Sequence, residues 1–283
     1  MNLSRKILAG AVIALLPLTG AMACTTSAWS SVSGAPVAGD PIPSDGDVTT
    51  RYSGLCGLKT ASGGSSYVVS NHPADSTYRA RFYVLTTPTA NATVFQAYSD
   101  EAATTPVITV EYQPGASAFA FTIPGAPLAN VTGIQANQWY GIEVFRQVGA
   151  PAVVSVQGGG GNGFDPVDNR NEQNITRIVA TVNSGTNNAT GGTVEAARLG
   201  AIGATTGVVT VDEFDSSRSA ATPIGFLLRG DANSSGTRDA GDITATARES
   251  VTPGSFAGQP DCNESGGVDA GDITCIARVS VGL

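Results

Sequence analysis

Between about residues 52 and 226 the chain is built from short runs in which apolar side chains recur at every second position, and Gly, Pro, Asn and Asp separate the runs. A period of two is the mark of a strand with one buried face. In the run 78–84 the residues Tyr78, Ala80, Phe82 and Val84 fall on one side. Comparable runs at 66–70, 93–98, 107–112, 119–123, 139–145, 152–157, 177–182, 194–202 and 208–214 predict about ten strands and no amphipathic helix in this stretch. Strands of this number must close two sheets over one core, so the expected fold is mainly β, an antiparallel jelly-roll β-sandwich.

The pattern changes at both ends. Arg5 and Lys6 precede an apolar run over 7–18, and Ala21-Met22-Ala23 supplies small residues at the positions a signal peptidase requires, so residues 1–23 are expected to be a signal peptide and the protein to be secreted. The run is too short to span a bilayer comfortably, and no later stretch reaches about 18 uninterrupted apolar residues. Residues 24–51 read as a linker and 52–226 as the sandwich. From 227 to 283 the period shifts to that of two short helices, 240–251 and 270–281, with Ile243 and Ala247 on one stripe and Ile273, Ile276 and Ala277 on the other.

These last residues are an internal duplication. Sliding the sequence by 30 places aligns 230–251 with 260–281, and 14 of those 22 positions are identical. The first copy runs Asp231, Asn233, Ser235, Gly236, Thr237, Asp239 and Asp242, and the second Asp261, Asn263, Ser265, Gly266, Gly267, Asp269 and Asp272. These are positions 1, 3, 5, 6, 7, 9 and 12 of a 12-residue calcium loop, in which alternate side chains point inward, Gly at position 6 allows the sharp turn and position 7 offers its carbonyl. Hard oxygen donors with three carboxylates per loop suit Ca²⁺, whereas zinc would call for His or Cys. Two ions are expected.

Two loop–helix units without an entering helix, and with Asp rather than Glu at position 12, resemble the type I dockerin over residues 229–283. That resemblance implies a module that tethers secreted proteins, often polysaccharide-degrading enzymes and their accessory modules, to a cohesin-like partner. It places the partner-reading helix positions at Ala240-Gly241 and Ala270-Gly271, and the two-fold symmetry of the repeat adds Arg248 and Arg278, so each copy is expected to present the same face to a partner. The chain departs from the pattern at position 5, where Ser235 and Ser265 stand in place of the usual Asp, and at position 8, where Arg238 matches apolar Val268.

In the larger domain the order Tyr78-Arg79-Ala80-Arg81-Phe82, then 139–144, then 209–214 is similar to the concanavalin A-like, laminin G-like jelly rolls. That likeness implies lectins, adhesion modules or glycoside hydrolases, and the fold does not choose among them. A retaining glycosidase needs two carboxylates about 5 Å apart. The laminarinase-like Glu-x-Asp-x-x-Glu string is absent. The nearest acids are Asp212, Glu213 and Asp215, with Asp212 and Glu213 expected on opposite faces of the last strand. No catalytic residue is assigned. His72 is expected in a turn, the 158–163 glycine run lacks the Lys-Ser/Thr of a P-loop, and Trp29, Trp139, Tyr140 and Tyr98 are the aromatics available to stack on sugar rings.

Composition narrows the field. A net charge of −8 with Lys6 and Lys59 as the only lysines leaves nothing to grip nucleic-acid phosphates. One histidine excludes a multi-histidine zinc site. Four cysteines in an oxidising compartment favour disulfides, most naturally Cys24 with Cys56 and Cys262 with Cys275; a lipid anchor on Cys24 is the alternative. The reading is a secreted, non-catalytic binding or adhesion protein associated with carbohydrate. A glycoside hydrolase of polysaccharide catabolism and a structural surface protein are the alternatives.

Overall fold

The computed structural model describes residues 25–38, 52, 57–158, 178–203, 207–220, 222–227, 230–233, 235, 238–256, 258–263 and 267–281. The strands are β1 (Ser31–Ser33), β2 (Val37–Ala38), β3 (Leu58–Lys59), β4 (Ser66–Asp75), β5 (Thr77–Leu85), β6 (Ala92–Tyr98), β7 (Pro106–Gln113), β8 (Ala118–Thr122), β9 (Val131–Thr132), β10 (Trp139–Gln147), β11 (Pro151–Gly158), β12 (Ile178–Asn188), β13 (Val194–Ile202) and β14 (Thr210–Ser217). Two helices follow, α1 (Ala240–Glu249) and α2 (Ala270–Ser280).

The strands form two seven-stranded sheets, ordered β1-β4-β13-β6-β7-β8-β9 and β12-β11-β10-β5-β14-β3-β2, antiparallel throughout. The protein is thus mainly β, a two-sheet sandwich. Each expected strand is present. The segment expected to be a linker, 24–51, contributes as well, since β1 pairs with β4 in the first sheet and β2 with β3 in the second. Strands of two or three residues are too short to carry a period, which is why their sequence reads as linker.

Alternation delivers the inner faces of the longer strands to one core, in which rings from opposite sheets meet. Phe82 of β5 stacks on Phe95 of β6 at 5.0 Å between centroids, and Phe119 of β8 meets the edge of Tyr140 of β10 at 5.7 Å. Arg146 lies wholly buried at one end of this core, where its Nη2 donates to the carbonyls of Thr190 and Gly192, each at 2.8 Å. Burial holds its pKa below the usual guanidinium range.

α1 and α2 pack on each other. Main-chain hydrogen bonds join the two copies at their loop entrances: Gly230 N–H donates to Gln259 O (2.8 Å), and Gln259 N–H to Asp231 O (2.9 Å). Cys262 and Cys275 form the expected disulfide, linking the second loop to its helix. Cys24 and Cys56 lie outside the described residues.

Candidate functional site

The duplicated loops are closed by their own acids, in the same way in both copies. Asp239 is the N-cap of α1 and accepts from Gly241 N–H at 2.7 Å; Asp269 caps α2 and accepts from Gly271 N–H at 2.6 Å. The position-12 carboxylates, Asp242 and Asp272, are fully buried. Asp242 accepts from Asp239 N–H (2.8 Å) with Oδ2 and from Asn233 N–H (3.1 Å) with Oδ1. Asp272 repeats this with Asp269 (2.8 Å) and Asn263 (3.0 Å). One carboxylate therefore ties the start of each loop to its end, the reciprocal bonding of a capping box extended across nine residues.

At position 1, Asp231 Oδ1 accepts from Ser235 N–H at 2.8 Å, and Asn233 Oδ1 shares that donor at 2.9 Å. The donors at Asp231, Asn233, Ser235, Asp239 and Asp242, and at Asp261, Asn263, Gly267, Asp269 and Asp272, are hard oxygens, the chemistry that calcium takes. Thr237 and Ser265 lie outside the described residues. Among the described residues no group of three or more His, Cys, Asp or Glu side chains converges in metal-binding geometry.

The expected partner-reading residues Ala240, Gly241, Arg248, Ala270, Gly271 and Arg278 are all exposed. Two of them also serve the loops. A Cβ on Gly241 would lie 2.9 Å from Asn233 Nδ2, and one on Gly271 would lie 2.6 Å from Asn263 Nδ2. A side chain at position 11 would therefore displace the position-3 amide. Past α1, Glu249 accepts from the backbone N–H groups of Gly254, Ser255 (2.8 Å) and Phe256 (3.1 Å), and these bonds hold its carboxyl below the usual range.

In the sandwich, a bulge corrects the expectation for the last strand. The register between β14 and β5 shifts between Asp212 and Asp215, and Glu213 adopts a left-handed backbone with φ of 50°. Alternation is interrupted there, and the successive residues Val211, Asp212, Glu213 and Phe214 all border one cleft of about 170 Å³ with Trp29 and Leu58. Asp212 accepts from Tyr52 N–H (2.6 Å) and Glu213 N–H (2.8 Å). A single sequence offers no period that would reveal an inserted residue.

The aromatics available for stacking are largely enclosed. Tyr140 is in the core, Trp139 and Tyr98 are buried, and half-buried Trp29 packs on Phe214 at 5.1 Å. His72 lies in β4 rather than in a turn, half-buried and stacked on Tyr78 at 5.3 Å, and burial lowers its pKa. Gly158 ends β11; the rest of the glycine run lies outside the described residues.

β5 is buried along almost its whole length, so its outer row is covered too. In that row Arg79 Nη1 donates to Glu143 Oε1 of β10 at 2.6 Å, with both side chains nearly enclosed, and the guanidinium lies 4.3 Å from the centre of the Phe145 ring. Tyr83, Leu85 and Trp139 form a second small cluster with Tyr52, Phe226 and Leu227. The charges at Arg79, Arg81 and Glu143 are visible in the sequence, but their common burial requires a covering segment that no local pattern announces.

No family model matches the chain, and no curated protein matches it. Among solved structures the chain is similar to the endo-β-1,4-glucuronan lyase of the fungus Trichoderma reesei, at a TM-score of 0.40 and 10% identity over 68% of this chain and 92% of that one. It is similar to the cellulose-induced protein Cip1 at 0.40 and 12% over 70% and 90%. It is also similar to the receptor-binding domain of botulinum neurotoxin type G at 0.38 and 10%, over 65% of this chain and 42% of that one.

Proposed function

We propose that the protein is a secreted, non-catalytic binding protein. In this reading a concanavalin A-like sandwich associates with carbohydrate, and a calcium-stabilised, dockerin-like tail tethers it to a cohesin-like partner. The observation that carries the reading is the repeated loop closure, in which Asp242 and Asp272 are each buried at the junction of an oxygen-rich loop and a helix. One ion would be held by Asp231, Asn233, Ser235, Thr237, Asp239 and Asp242, the other by Asp261, Asn263, Ser265, Gly267, Asp269 and Asp272. Bound calcium would neutralise carboxylates gathered on a short loop and so make ion binding part of the tail's folding energy. The exposed face at Ala240, Gly241 and Arg248, repeated at Ala270, Gly271 and Arg278, is the surface offered to the partner. Small residues let a partner approach closely, and the arginines can clasp a carboxylate.

Secretion rests on the features of residues 1–23, and carbohydrate association on the dockerin-like resemblance. The test is retention of the purified full chain on a polysaccharide panel, alongside capture on immobilised cohesin with calcium and with EDTA. Calcium-dependent capture supports tethering. Capture that ignores EDTA, or that fails in both conditions, overturns it.

The glycoside hydrolase is the second reading, since Asp212 and Glu213 both border one cleft. Release of reducing ends from the same panel, lost in Glu213→Gln, would establish it in place of the first.

A further inference from the structure

The outer row of β5 and β10 is held by a segment of the chain much as a receptor holds a ligand. In register, Arg79 faces Phe145, Arg81 faces Glu143, Tyr83 faces Gly141 and Leu85 faces Trp139. Over this row pass Ala220 and residues 222–227, which belong to no strand or helix. The segment is bound chiefly through its main chain. Arg79 donates to Ala220 O (3.5 Å) and Arg81 to Gly225 O (3.3 Å), while Glu143 accepts from Ile224 N–H (3.2 Å) and Gly225 N–H (2.8 Å). Tyr83 Oη accepts from Leu227 N–H at 2.7 Å. Two strap side chains, Phe226 and Leu227, pack on the cluster of Tyr83, Leu85 and Trp139, and Phe226 is the more closely seated. It occupies the space above Gly141, where a Cβ would lie 2.7 Å from Phe226 Cδ1, and meets the Tyr83 ring edge-on at 6.4 Å.

A purely structural cover would not need this. Replacing a buried ion pair with well-packed apolar residues is often neutral or stabilising, so two arginines and a glutamate under an irregular strap call for another use. The strap side chains at 224–227 remain half-exposed, and Gly225 turns the chain with φ of 81°. Such a segment, half-exposed and outside any strand or helix, belongs to the part of a fold that opens before the sheets do.

We propose that this row is a saccharide-binding groove and that residues 222–227 are its built-in plug. The proposal rests on the reading of the sandwich as a carbohydrate-associated module and adds how its site is regulated. When the strap lifts, Arg79 and Arg81 regain the donors now given to Ala220 O and Gly225 O, Glu143 regains the acceptors now used by Ile224 and Gly225 N–H, and the Tyr83 hydroxyl is released from Leu227 N–H while its ring stays stacked on Tyr52 at 3.8 Å. The groove's apparent affinity is its intrinsic affinity scaled by the fraction of molecules with the strap lifted.

The experiment compares the full-length protein with Phe226→Ala, which empties the Gly141 socket, and Ile224→Pro, which removes one N–H donated to Glu143. Hydrogen exchange at the Gly225 and Leu227 amides reports strap release without any ligand. Affinity electrophoresis in carboxymethyl cellulose and in hydroxyethyl cellulose reports binding to an acidic and a neutral chain. Both variants should exchange faster and bind at least one polymer about tenfold more tightly, the gain expected when a half-buried ring is truncated and the open fraction rises accordingly. Adding Arg81→Met to Phe226→Ala should abolish that gain. Faster exchange with binding equal to wild type overturns the plug and leaves the carbohydrate reading standing. Faster exchange with no binding of either polymer by any form overturns the groove and the carbohydrate reading together. Concentration-dependent dimerisation of the variants would show that the groove takes a second copy's strap, and so overturns the saccharide assignment.

Discussion

Replacing Glu143 with leucine should be among the most damaging single changes in the sandwich. The carboxylate makes a 2.6 Å bond to Arg79 and accepts from Ile224 N–H at 3.2 Å and Gly225 N–H at 2.8 Å. Leucine leaves a guanidinium and two amides facing apolar atoms. Removing one partner of a buried pair costs about 3–5 kcal/mol, since the remaining charge stays desolvated and alone. At about 2–4 °C per kcal/mol for a domain of this size, the midpoint of the sandwich transition should fall by roughly 6–20 °C. Arg79→Met should cost a similar amount. Arg79→Met/Glu143→Leu, which removes both charges, should cost much less than the sum, with a coupling of about 2 kcal/mol or more. Urea unfolding followed by tryptophan fluorescence is the assay, with Trp139 in the neighbouring cluster as the reporter. Single mutants costing under about 1 kcal/mol, or a double mutant equal to the sum, would refute the claim that the pair is buried and mutually dependent.

Gly271→Ala should weaken calcium binding at the second loop with little effect on the sandwich, because its Cβ would press on Asn263 Nδ2; isothermal titration of the variant checks this. Glu213→Gly should stabilise the sandwich by about 1 kcal/mol in urea unfolding, because a left-handed backbone strains a residue with a Cβ and not glycine. Glu249 has its carboxyl pKa lowered by the backbone N–H groups beyond α1, so its contribution is complete above the ordinary carboxylate pKa and lost as pH falls through the depressed value. Acid titration of α-helical circular dichroism should therefore show the tail weakening on the acid side, and Glu249→Gln should flatten that dependence.

The long strands and both helices were legible because period and punctuation decide them locally. The 230–251 and 260–281 copies told more, since a pattern repeated in register implies the same backbone twice, and the bonds of Asp242 and Asp272 match in the two copies. What the sequence hid was non-local. The two- and three-residue strands near the N-terminus gain their hydrogen bonds only from partners such as β4 and β3. The bulge at Glu213 is one inserted residue in an otherwise regular run. Covering of Arg79, Arg81 and Glu143 depends on a strap more than 75 residues away in sequence, with Ile224 bonded to Glu143 across a separation of 81. Gly241 and Gly271, read as part of a partner surface, have a structural duty that appears only when the position-3 asparagines are placed.

The central claim is that the duplicated loops are calcium sites, and calorimetric titration of calcium into metal-stripped, full-length protein tests it most directly. The account predicts two ions per chain, falling to one in Asp231→Ala or Asp261→Ala and remaining two in Asp212→Ala. Absence of calcium-dependent heat in the wild type, or a stoichiometry unchanged by both loop substitutions, would contradict it.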